Sequence, residues 1–170
     1  MTECQDGAVD VIGEVSVALW SAFGSDSPCP TDSAPTVRFF AGDGPPLEAW
    51  NAHSSGGCDE PFLWVRVVRR YRTAGFPEPT TNVNPCGLSR VVVLEVGVAR
   101  CALMDPQATW AEYADEANLS LADSRRMEIA LCVAMSSLIR KDHQVGTDVI
   151  LPFGPEGGVL GWTSQVYVGF

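Results

Sequence analysis

Two stretches in which apolar and polar residues alternate, 62–72 and 88–103, constrain the fold more than anything else in this chain. A strand buried on one face alternates in this way. In the first, Leu63, Val65 and Val67 face a core, opposite Trp64, Arg66, Val68, Arg70 and Arg72. In the second, Val92, Leu94, Val96 and Val98 face inward, and Val91, Val93, Glu95, Gly97 and Ala99 face out. Antiparallel pairing with Val67 opposite Leu94 and Val65 opposite Val96 also sets Arg66 opposite Glu95. A slip of one residue would destroy both the apolar and the charged matches. The outer face is expected to stand open to solvent, so that Glu95→Gln is tolerated where Leu94→Asp or Val96→Asp unfolds the chain. The connection, residues 73–87, carries Pro77, Pro79, Pro85 and two glycines. It is too long and too proline-rich for a tight turn, and is expected to project as an arm.

The other segments are placed around this hairpin. Residues 9–23 put Val11, Val15, Ala18, Leu19 and Ala22 on one helical face, residues 24–35 are a loop by composition, and residues 36–40 are a short strand stopped by Gly42, Gly44, Pro45 and Pro46. Residues 47–60 read as a Gly/Ser loop; His53 and Cys58 in it have no supporting cluster. Asp105 and Pro106 suit a helix opening, with a weakly amphipathic acidic segment at 110–117. A stronger helix is expected after Ser120, where Ser120 and Asp123 have capping-box spacing and Met127, Leu131, Ala134 and Leu138 form a stripe that packs on the hairpin, with Arg140 and Lys141 at its C-terminal end. Two strands, 148–153 and 160–170, flank a Gly/Pro turn; Pro152 confines the first to an edge. The fold class expected is a single α+β domain over residues 1–170, with a small antiparallel or mixed sheet packed on one face by two main helices.

Charge bears on partners. The formal net charge of −10 argues against a dedicated DNA-binding domain, which needs lysine and arginine in excess. Hydrophobic residues are 46% of the chain, yet no apolar run approaches the ~20 residues of a membrane span. The polar, acidic start lacks the features of a secretion signal, so folding in a cytosol is expected. The six cysteines form no C-x-x-C pair, which disfavours zinc. Cys101 and Cys132 are expected as buried thiols; any disulfide should be confined to Cys4, Cys29, Cys58 and Cys86.

No phosphate-cradling loop, zinc-protease motif or serine elbow occurs, and a Cys58/His143 nucleophile pair is the only enzymatic rival. Catalytic, cofactor-binding and metal residues are therefore expected to be none. The basic cluster Arg66, Arg69, Arg70 and Arg72 could grip an acidic partner, or could be a solvated sheet face neutralised by Glu95 and nearby acids. With the arm it defines the expected interface: Arg66, Arg70, Arg72, Phe76, Pro77, Glu78, Asn82 and Asn84.

The element order, together with TVRFFAGDGPP at residues 36–46, the long strand pair and GPEGGVLGWTSQVYVGF at residues 154–170, resembles the tail terminator proteins of long-tailed bacteriophages. The resemblance spans most of the chain, while residues 47–60 and the six cysteines depart from it. It implies a non-enzymatic virion protein, assembled in the host cytoplasm, that forms a homo-oligomeric ring, usually a hexamer. Such a ring caps the tail tube, meets the tail tube protein and the head connector or stopper, and passes genomic DNA through its lumen without sequence-specific binding. An acidic wall would disfavour sticking of that DNA. The rivals are a neck adaptor, stopper or tail-tube protein; a small cytosolic enzyme; and a host α+β module that recognises a protein through the arm.

Overall fold

The structure is a computed structural model that describes residues 6–24, 27, 36–45, 47–58, 60–82 and 84–170. Among these described residues, three helices and a six-stranded mixed sheet make an α+β fold. The helices are α1 (Gly7–Phe23), α2 (Leu47–Ser55) and α3 (Trp110–Arg140). The strands are β1 (Val37–Phe40), β2 (Phe62–Thr73), β3 (Ser89–Cys101), β4 (Gln144–Thr147), β5 (Leu151–Phe153) and β6 (Val159–Gly169). Their order is β1-β2-β3-β6-β4, with β5 also paired to β6.

β2 and β3 pair antiparallel in the register that the alternation dictates: Val67 opposite Leu94, Val65 opposite Val96 and Arg66 opposite Glu95. A bulge between Val67 and Arg69 then shifts the register by one residue. Beyond it Arg69 and Tyr71 stand opposite Val93 and Val91 on the outer face, while Arg70 and Arg72 turn to the other face. The expected grouping of Arg66 with Arg70 and Arg72 on one face is therefore wrong.

Residues 47–60 are not wholly loop, because β1 runs parallel to β2 and a parallel pair needs a crossover, here carrying α2. α3 is one helix of 31 residues rather than an acidic segment followed by a second start. Its N-cap is Thr109, which forms a reciprocal capping box with Glu112. Asp105 instead accepts a bond from the Gln107 amide, and Ser120 lies inside the helix, where its carbonyl and hydroxyl oxygens accept from Trp162 Nε1. The strand expected at 148–153 shrinks to β5, with β4 an additional strand before it. Pro152 does sit on an edge, since β5 pairs with β6 alone among the described residues. The loop expected at 24–35 lies, apart from Gly24 and Ser27, outside the described residues.

α1 and α3 pack on each other and on the inner sheet face. Val11, Val15 and Leu19 of α1, with Met127, Leu131, Ala134 and Leu138 of α3, meet Leu63, Val65, Val92, Leu94, Val96, Val98, Val166 and Val168 in one core. Each such Leu or Val withdrawn from water contributes about 1.5–3 kcal/mol. The outer face is not open as expected. Val91, Val93 and Ala99 are buried, and Phe62, Trp64 and Ala99 form a second cluster packed by Trp50 and Phe153. Trp64 lies so close across Gly97 that a Cβ there would meet its ring at 2.0 Å.

Two cysteine expectations fail. Cys101, the last residue of β3, lies at the sheet margin where the chain leaves α2, and is bonded to Cys58 with the Cα atoms 5.6 Å apart. Cys132 is exposed because it falls beside, not on, the stripe of Leu131, Ala134 and Met135. Cys86 is an exposed thiol; Cys4 and Cys29 lie outside the described residues.

Candidate functional site

The outer face and the distal end of the β2–β3 hairpin collect most of the residues singled out by sequence, but in different roles. Arg66 is consumed by structure: its Nε and Nη2 each donate to the Glu95 carboxylate at 2.7 Å, and Nη1 reaches the Gly42 carbonyl. Trp64 Nε1 donates to the same carboxylate at 3.0 Å. Two largely buried charges paired in this way hold the strands in register, and do not present a cation to a partner.

Arg70 and Arg72, turned over by the bulge, sit at the hairpin end. Arg70 makes a bidentate ion pair with Asp6, the N-cap of α1, and that guanidinium together with the Ala8 amide holds the Asp6 carboxyl below its ordinary value. Arg72 Nη1 donates to the Leu88 carbonyl at 2.8 Å. With Tyr71, Val91 and the exposed Arg90 they line an open concavity of about 330 Å³. Arg90 stands directly opposite Arg72 in the β2–β3 ladder. Like charges placed opposite one another cost stability in a sheet, so this pair marks the site more clearly than any motif. The register legible in the sequence sets Ser89 at that position; only the bulge brings Arg90 there.

The arm divides in two. Its first part is folded onto the body: the Phe76 ring lies against Gly146 and Gly169, Tyr71 donates its hydroxyl proton to the Pro77 carbonyl, and Thr73 donates to the Glu78 carbonyl at 2.5 Å. Its second part is tied to β2 at Thr80, whose amide donates to the Arg72 carbonyl at 2.9 Å and whose hydroxyl accepts from the Ala74 amide at 3.0 Å. Asn82 and Asn84 are exposed, joined by a bond of 2.9 Å from the Asn84 amide to Asn82 Oδ1, and a single 3₁₀ turn at Pro85–Gly87 leads into β3. Of the eight expected interface residues, Arg70 and Arg72 come together, Asn82 and Asn84 remain free at the surface, and Arg66, Phe76 and the Pro77 and Glu78 carbonyls serve the fold.

The enzymatic pair does not assemble. Cys58 is joined to Cys101 at one end of β3, whereas His143 Nδ1 bonds to the Gly169 carbonyl, and Gly169 pairs with Val91. Ten strand residues separate Val91 from Cys101, about 33 Å. His53 donates to the Glu60 carbonyl at 3.0 Å and packs its ring on Phe62 and Trp50; burial lowers its pKa from 6.5.

Two further features stand outside the site residues singled out by sequence, the second foreshadowed only by the weak amphipathicity of residues 110–117. A buried Arg100–Asp123–Arg126 triad joins β3 to α3, with Asp123 accepting from Arg100 at 2.5 and 3.1 Å and from Arg126 at 2.7 Å. The first three turns of α3 stand clear of the body: from Thr109 to Asn118 only Glu116 is even half-buried, and Trp110 is 88% exposed. No helix among the described residues is long and apolar enough to cross a membrane. No protein-family description matches the chain, and no curated protein matches it.

Proposed function

We propose that the chain is a structural ring subunit of the head-to-tail junction of a long-tailed phage, most specifically the tail terminator that caps the tail tube and meets the head connector. The observation that carries this reading is the distribution of exposed large apolar side chains. They lie on separate surfaces, among them Val9, Val17 and Trp20 along the outer stripe of α1, Trp110 and Tyr113 on the free end of α3, and Val149 and Leu151 beside the β4–β5 edge. Exposed apolar groups that cluster, as Val9, Val17 and Trp20 do along one helix and Trp110 and Tyr113 along another, are what contacts with other chains require. A two-fold dimer needs one self-complementary patch, whereas a head-to-tail ring needs two different surfaces on every subunit. The element order supports the terminator in particular, and the acidic composition suits a wall past which DNA must slide.

The test is mass and shape. Native mass spectrometry and negative-stain electron microscopy of the purified chain should find a closed ring, six-membered in the simplest case, and a phage lacking this protein should be rescued by supplying it. A monomer at ~100 µM that rescues no particle assembly overturns the proposal.

A further inference from the structure

The arginine concavity and the free end of α3 are both unusual on a chain with a net charge of −10. Among the described residues, the concavity gathers Arg70, Arg72 and Arg90 against one carboxylate, Asp6, and tolerates the Arg72–Arg90 pair across the ladder. Such a pair is unfavourable until an anion sits between the guanidinium groups. The α3 end has the opposite character. Glu112, Asp115 and Glu116 crowd its first two turns, and Trp110 lies tilted against Tyr113 with ring centroids 6.1 Å apart, both exposed to water. Exposed aromatic rings among carboxylates, on a helix end held to its own chain through Glu116, are suited to contact with another chain.

The two surfaces lie at opposite ends of β3. The concavity is at its start, and α3 begins just past its end, where the Leu103 amide bonds to Glu116. One chain therefore cannot satisfy itself, but a second copy can. We propose that the free end of α3 docks into the arginine concavity of the next copy of this chain, its carboxylates pairing with Arg72 and Arg90 and its aromatic rings lying on the guanidinium planes. Charge complementarity, cation–π contact and the burial of Trp110 would act together there. Both partners are on every subunit, so the contact repeats head to tail and closes into a ring when the rotation per step allows it. This deepens the ring reading and rests on it only for closure.

The experiment is a charge swap on the full chain. One variant carries Arg72→Glu and Arg90→Glu; the other carries Asp115→Lys and Glu116→Lys; circular dichroism and melting verify that each folds. Sedimentation velocity should show each alone associating at least about tenfold more weakly than the wild type. An equimolar mixture should recover association to within about threefold, because each variant then offers the other its complement. Variants that form wild-type rings overturn the contact and leave the ring reading standing. Head-to-tail dimers or open chains that the variants abolish and the mixture restores uphold the contact while the ring reading falls. A wild type monomeric at every concentration removes both. If the concavity variant instead loses only binding to a labelled DNA duplex, measured by anisotropy, then a phosphate backbone is the occupant and the proposal fails.

Discussion

Asp123 shows how a single residue can be misread from its neighbours in sequence. Its spacing from Ser120 suits a capping box, yet its carboxylate is buried between Arg100 and Arg126. Removing one partner from a buried ion network leaves charge in a poorly solvated place, so Asp123→Asn should cost about 3–5 kcal/mol; urea unfolding checks this. Glu95 is the second case. Sequence alternation places it outside and predicts that Gln is harmless there, but it accepts three bonds, from both Arg66 nitrogens and from Trp64. Glu95→Gln should therefore cost about 1–3 kcal/mol, less than Leu94→Asp, which buries a charge against an apolar core. Equal melting temperatures for Glu95→Gln and wild type would return the ion pair to the status of an ornament.

At the level of elements, α2 is the piece most loosely held, attached through Trp50 and His53 on Phe62 and by the Cys58–Cys101 bridge. Closing a loop of 43 residues restricts the unfolded chain by an amount worth about 2–4 kcal/mol. Reductant should lower the melting temperature and open residues 41–61 to protease; Cys58→Ser should do the same without reductant. His53 adds a dependence on pH. Its folded pKa lies below 6.5, so its contribution is complete above 6.5 and is lost as pH falls through the folded value. Protection of the α2 amides, relative to their intrinsic exchange rate at each pH, should fall as the pH is lowered below 6.5, and His53→Phe should flatten that change. The arm gives an element-level test of docking. Phe76 packs on β4 and β6 and Thr80 bonds to β2, so a deletion confined to residues 81–85 should leave the melting temperature nearly unchanged, whereas Phe76→Ala should cost about 1–3 kcal/mol. If the shorter arm still assembles as wild type, its exposed half is a passive connection.

For the whole molecule, opposite charges at the two ends of one subunit make association sensitive to ionic strength. Raising salt from 0.05 to 0.5 M shortens the screening length from about 14 to about 4 Å. Association should weaken if the arginine concavity carries it, and hold or strengthen if the apolar stripe of α1 does. Sedimentation at the two salts distinguishes them.

Alternation over β2, β3 and β6 and the stripe at Met127, Leu131, Ala134 and Leu138 were legible in the chain, because burial on one face imposes a period on consecutive residues and so writes itself into the order of side chains. The pairing of Val65 with Val96 and of Arg66 with Glu95 followed from the same cause. The bulge at Val68 left no such trace, and it alone decides which face Arg70 and Arg72 occupy and that Arg90 stands opposite Arg72. The Cys58–Cys101 bridge, the Asp123 triad and the bareness of the first turns of α3 were likewise settled only in three dimensions. Each depends on where segments distant in sequence come to rest, and no local period encodes a neighbour that the chain reaches by folding back on itself.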